Sequence, residues 1–66
     1  MKVSVNRIRR LMGVNLLTQL ALAEVAGVSR VTINSTLLKG SCSTQTAGKI
    51  ARALGVNPED IIEKEV

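Results

Sequence analysis

Val31, Asn34 and Ser35 stand at spacings that put them on one side of a helix begun by Ser29, opposite Ile33, and Arg30 falls at its exposed first turn. These residue types do recognition chemistry. A guanidinium donates two parallel hydrogen bonds, a carboxamide donates and accepts, a hydroxyl does either, and a branched aliphatic group packs on a methyl. Upstream, Thr18 and Gln19 open another apolar-patterned segment, where free backbone amides suit an anionic oxygen. Covalent and acid–base chemistry has little to work with: the 66 residues contain no histidine, one cysteine and no glycine-rich phosphate loop. No catalytic residue, metal site or cofactor is therefore expected, and the chain does not read as an enzyme. Cys42 has no internal disulfide partner and reads as an incidental loop thiol of a cytoplasmic protein.

The charge distribution fits a polyanionic partner. Residues 1–58 hold eight basic side chains and one acid, Glu24, whereas residues 59–66 hold four acids and Lys64, so a net +4 conceals a body of +7 and a tail of −3. Nucleic acid is the commonest partner of such a basic body. No apolar run approaches the length that spans a bilayer, and no leader-like stretch follows Lys2, so neither a membrane segment nor a signal peptide is expected.

The length reads as one domain, residues 1–66, and the absence of Phe, Trp and Tyr in a chain 45% hydrophobic favours close-packed helices over a sheet. Val5, Ile8, Leu11 and Met12 recur at helical spacing, with Arg7, Arg9 and Arg10 between them on a face that suits either solvent or a DNA contact. Ser4 or Asn6 caps this first helix and Gly13 marks its end. Thr18 caps a second, with Leu22, Ala23 and Ala26 inward and Gly27 at its close; Ser29 caps a third, with Ile33, Thr36 and Leu37 inward. Val31, Asn34, Ser35 and Leu38 fall on its opposite side. Val31, Thr32 and Ile33 are weak helix formers, so tertiary packing must hold this segment. Ser43 or Thr44 caps a fourth helix carrying Ala47, Ile50, Ala51 and Leu54, interrupted by Gly48 and stopped at Gly55. Asn57, Pro58, Glu59 and Asp60 are start signals for a short fifth helix whose apolar contacts are Ile61 and Ile62.

The tightest constellation runs from Gln19 to Ile33. A small residue at Ala23, a glycine at the turn, Val28 after it and Ile33 beyond are what two steeply crossing helices need, and they define a helix-turn-helix over about 18–38. Here the chain resembles the lambda Cro/CI-type (XRE-like) DNA-binding family. The resemblance rests on Leu17-Thr18-Gln19, Leu22-Ala23-Glu24, Ala26-Gly27-Val28-Ser29-Arg30, Thr32-Ile33-Asn34 and Ile50-Ala51-Arg52-Ala53-Leu54-Gly55-Val56. It covers nearly the whole chain. The sequence departs from the pattern at Leu37-Leu38-Lys39-Gly40, where the family has a Glu-Asn-Gly-type turn, and at Leu20, Ala21, Val25 and Val31, where polar surface residues are usual.

The resemblance implies an all-α, five-helix lambda repressor-like fold that reads double-stranded DNA with its third helix in the major groove. It assigns base and backbone contacts to Gln19, Ser29, Arg30, Val31, Asn34 and Ser35, with Thr18 beside Gln19 and Lys39 at phosphates. Thr32 packs between helices first and reaches a phosphate second. Physical chemistry agrees with these roles: Arg30 can pair with guanine O6 and N7, and Val31 can pack on a thymine methyl. A cytoplasmic Cro-like repressor acting as a homodimer on a palindromic operator is the resulting expectation, with Val56, Pro58, Ile61, Ile62 and Val66 as the dimer contact. The alternative is an antitoxin or other protein-interaction module, motivated by the apolar Leu16, Leu20 and Val25 around the second helix.

Overall fold

A computed structural model describes residues 1–63. It contains helices α1 (Val5–Val14), α2 (Gln19–Ala26), α3 (Arg30–Lys39) and α4 (Thr44–Leu54), followed by a single 3-10 turn at Pro58–Asp60. Each α-helix begins at a hydroxyl. Ser4, Thr18, Ser29 and Ser43 accept from the amides of Arg7, Ala21, Thr32 and Thr46 at 3.4, 3.1, 3.1 and 3.2 Å, satisfying donors that have no partner inside the helix. Of the paired alternatives at the first and fourth helices, Ser4 and Ser43 are the caps.

Helix ends follow a shared geometry. Gly27 lies at φ +73° with its amide on Glu24 O, and the Val28 amide reaches back to Ala23 O at 3.0 Å. This is the left-handed cap that turns the chain between α2 and α3. The end of α1 repeats it with a leucine: Leu16 sits at φ +55°, its amide on Gly13 O and the Leu17 amide on Met12 O. Gly48, inside α4, has open space where a side chain would start, so close packing does not require glycine there.

The fifth helix expected over Asn57 to Ile62 is instead one 3-10 turn, closed by the Asp60 carboxylate accepting from the Asn57 amide at 3.1 Å. Long-range pairing ends it. The Ser4 amide donates to Ile61 O at 2.7 Å, the Glu63 amide donates to Lys2 O at 3.0 Å, and Val3 bridges Ile62. On its other edge the N-terminal segment pairs with the loop after α3, through Val3 to Gly40 O and Cys42 to Met1 O. An extended segment thus ties the chain's two ends to the α3–α4 loop.

The core sits where α2 packs on both α3 and α4. Ile8, Leu22, Ile33, Ile50 and Ile61 are its largest fully buried side chains, and Ala23, Ala47 and Ala51 let the helices approach closely. Val3, which the helical periodicity passes over, is buried with them. Burying a side chain of this size stabilises by about 1.5 to 3 kcal/mol, which makes these contacts the main support of α3's β-branched start.

Candidate nucleic-acid interface

Helix α3 divides cleanly around its axis. Ile33, Thr36 and Leu37 are buried against α2 and the core, while Arg30, Val31, Asn34, Leu38 and Lys39 are exposed and Ser35 is half-buried at the margin. Thr36 is the polar exception inside. Its hydroxyl donates to Thr32 O at 2.8 Å, so it enters the core satisfied, and no buried side-chain nitrogen or oxygen lacks a partner among the described residues.

Two hollows flank this outer face. One is lined by Gln19 together with Arg30, Val31 and Asn34, which places the N-terminus of α2 beside the first turn of α3. The other runs from Val31, Ser35 and Lys39 to Ser41, Ser43 and Thr46, which places the N-terminus of α4 on the other side. Val31 lines both and so forms the ridge between them. Helix N-termini carry unsatisfied amides and the positive end of the dipole, so the exposed face of α3 is bordered on each side by groups that favour anions.

Ser29 and Thr32 are engaged with each other. Their hydroxyls share a hydrogen bond at 2.8 Å while Ser29 also caps the helix, and Thr32 is half-buried, which makes both parts of the helix start before anything else. Thr18 caps α2 and is exposed; Gln19 is half-buried at the hollow's rim. Lys39, in the last turn of α3, extends the positive face, and Ser41, Ser43 and Thr46 join it, although the sequence marks Ser43 only as a helix cap and the other two not at all. The local sequence signal for a contact there is the hydroxyl-rich stretch following Gly40.

A family model described as the Cro/C1-type HTH DNA-binding domain matches residues 7–65. The chain belongs to that family. No similar curated protein and no similar solved structure was found. As a Cro/C1-type DNA-binding domain it has DNA as its partner. No helix among the described residues is long and apolar enough to cross a membrane, and no cluster there could hold a metal ion.

Other surfaces of the Cro/C1-type domain lie apart from α3. Arg7, on α1, donates to Asp60 O at 3.0 Å and so braces the C-terminal turn. Arg9 and Arg10 are exposed. Of the residues expected to join two copies, Pro58 is exposed, Val56 and Ile62 pack half-buried on the core, and Val66 lies outside the described residues. Ile61 is corrected: it is 0% exposed, because a chain without aromatics draws it into its own core, and it has no surface to offer a partner. Cys42 is half-buried beside Thr36, and burial pushes its thiol above the ordinary range, outweighing the nearby N-terminal charge and the Thr36 hydroxyl. It stays protonated near neutral pH.

Proposed function

We propose that the chain is a Cro-like transcriptional repressor that inserts α3 into the major groove of an operator half-site. The observation carrying this reading is the exposed row of Arg30, Val31 and Asn34 on a helix whose opposite side is locked in the core, bordered by two helix N-termini. A major groove about 12 Å wide admits one α-helix. In that pose Arg30 donates to guanine O6 and N7, and Asn34 and Ser35 reach neighbouring base edges. Thr18, Gln19 and Lys39 hold phosphates, with Ser29 and Thr32 near the backbone at the helix start.

One such unit reads few base pairs, so we assign a homodimer whose recognition helices lie about 34 Å apart on a palindrome. Among the described residues, Pro58, Val56 and Ile62 are the C-terminal side chains left to form the contact. Selection from a random pool of double-stranded oligonucleotides tests the reading. Enrichment of a short inverted repeat, bound with an affinity that falls linearly on a log–log salt plot, is expected from counterion release. Failure to retain any duplex at low salt overturns it.

A second reading, an antitoxin-type interaction module, is favoured by the outward side of α2, where Leu20 and Val25 are exposed and Leu16 precedes them at 90% exposure. Coexpression with the adjacent reading frame separates the two. Copurification of the neighbour's product supports the module, and a protein that purifies alone and binds the selected duplex supports the repressor.

A further inference from the structure

Lys49, Arg52 and Ala53 follow one another at i, i+3 and i+4 on α4, so they share the side of that helix away from the buried Ala47, Ile50, Ala51 and Leu54. With Val25 and Ala26, from the last turn of α2, they line a hollow whose walls are aliphatic and whose charged side chains are both cationic. Val25 is 62% exposed, and Lys49 and Arg52 are exposed. Like charges one helical turn apart repel, and no carboxylate lines the hollow to offset them. The other basic hollow is different. There Asp60 stands with Arg7 and Arg10, and Arg7 already donates to the Asp60 carbonyl at 3.0 Å.

We infer that the hollow between α2 and α4 docks an acidic, amphipathic segment of a partner protein, with its carboxylates on Lys49 and Arg52 and its aliphatic side chains against Val25, Ala26 and Ala53. A nucleic-acid backbone would satisfy the two cations but offers nothing to the aliphatic walls, so the pairing of charge with hydrocarbon selects a peptide. The site is separate from the outer face of α3, since it shares no lining residue with the two hollows beside that helix. Val25 and Ala26 lie about 9 to 10.5 Å along the axis of α2 from Gln19, and Lys49 to Ala53 lie about 4.5 to 10.5 Å along α4 from Thr46. The chain can therefore hold DNA and the acidic partner at once.

The test uses the full chain and a labelled synthetic helical peptide with leucines at i and i+4 flanked by glutamates. Lys49→Glu combined with Arg52→Glu is expected to weaken its binding about tenfold, since two exposed ion pairs are lost. The same peptide with lysines in place of its glutamates should bind the double variant better than the parent chain, and serines in place of its leucines should weaken binding to the parent. Amide chemical shifts on adding the glutamate peptide are expected to change at Val25, Ala26 and Lys49 to Ala53, and to change equally with the selected duplex present. Both substitutions are at exposed positions, and matched circular dichroism melts establish that the variant is folded. Failure of the parent chain to bind the glutamate peptide, equal binding by parent and double variant, or changes centred on Arg7, Arg10 and Val56 overturns the acidic docking site. Displacement of the peptide by the duplex overturns it too, by giving the cations to DNA. A sedimentation mass of the chain alone that falls in the double variant assigns the hollow to a second copy, with the same consequence. DNA reading by α3 is tested separately, by the duplex selection.

Discussion

Arg30 occupies the first position of α3 and is exposed, so its guanidinium can reach a base edge without displacing any part of the fold. Gln19 stands across the same hollow at the start of α2, where an anion is favoured whatever the base sequence. The two residues therefore have separable signatures. Arg30→Ala is expected to cost about 1 to 3 kcal/mol of specific affinity and to flatten preference at one base pair, as read by competition with single-base variants of the operator. Unchanged discrimination would show that Arg30 does not touch a base. Gln19→Ala should weaken all those duplexes by one common factor, since phosphates carry no base identity. A factor that varies with sequence would place Gln19 on a base instead.

At the scale of elements, the ends of the helices show both what local sequence encodes and what it leaves out. Hydroxyl caps and closing glycines act over three to five residues, so Thr18, Ser29, Gly27 and Gly55 mark their boundaries legibly in the sequence. Leu16 gives no such sign. It occupies the left-handed position that Gly27 and Gly55 fill elsewhere, although its side chain is almost wholly in solvent. A non-glycine residue there costs roughly 1 to 2 kcal/mol, partly offset in a leucine-to-glycine exchange by glycine's greater freedom when unfolded. Leu16→Gly is accordingly expected to stabilise the domain by about 0.5 to 1 kcal/mol, measured by urea unfolding. A lower midpoint would mean that Leu16 makes a contact worth more than its strain. The C-terminal turn illustrates the converse. Asn57 to Asp60 specify a helix start correctly, but Ile61 and Ile62 are claimed by the core and by pairing with Val3, over a sequence separation that local signals cannot register. The candidate site was legible at Arg30, Val31 and Asn34, where helical period alone decides orientation. It was not legible at Ser41, Ser43 and Thr46, which join the face only because the α3–α4 loop folds back beside α3.

Across the whole molecule, stability depends on a few aliphatic side chains in a chain too small for redundancy. A core of this size supplies only about 3 to 5 kcal/mol. Ile61→Ala, at a fully buried position, is expected to cost about 2 to 5 kcal/mol, a large part of that margin, and so to lower sharply or abolish the cooperative thermal transition followed by circular dichroism. A variant that melts like the parent would show that the C-terminal turn is dispensable to the core. The same fold leaves α3 outward between two helix N-termini, whereas Val56 shares a hollow with Arg7, Leu11 and Asp60. Backbone amide chemical shifts, followed by nuclear magnetic resonance as the selected duplex is added at low salt, test this arrangement most directly. The account predicts that the largest changes fall on Gln19, on Arg30 to Ser35 and on Lys39, with Ile50 and Ala51 little affected. Changes centred on α1 and the C-terminal turn, with α3 undisturbed, would contradict it.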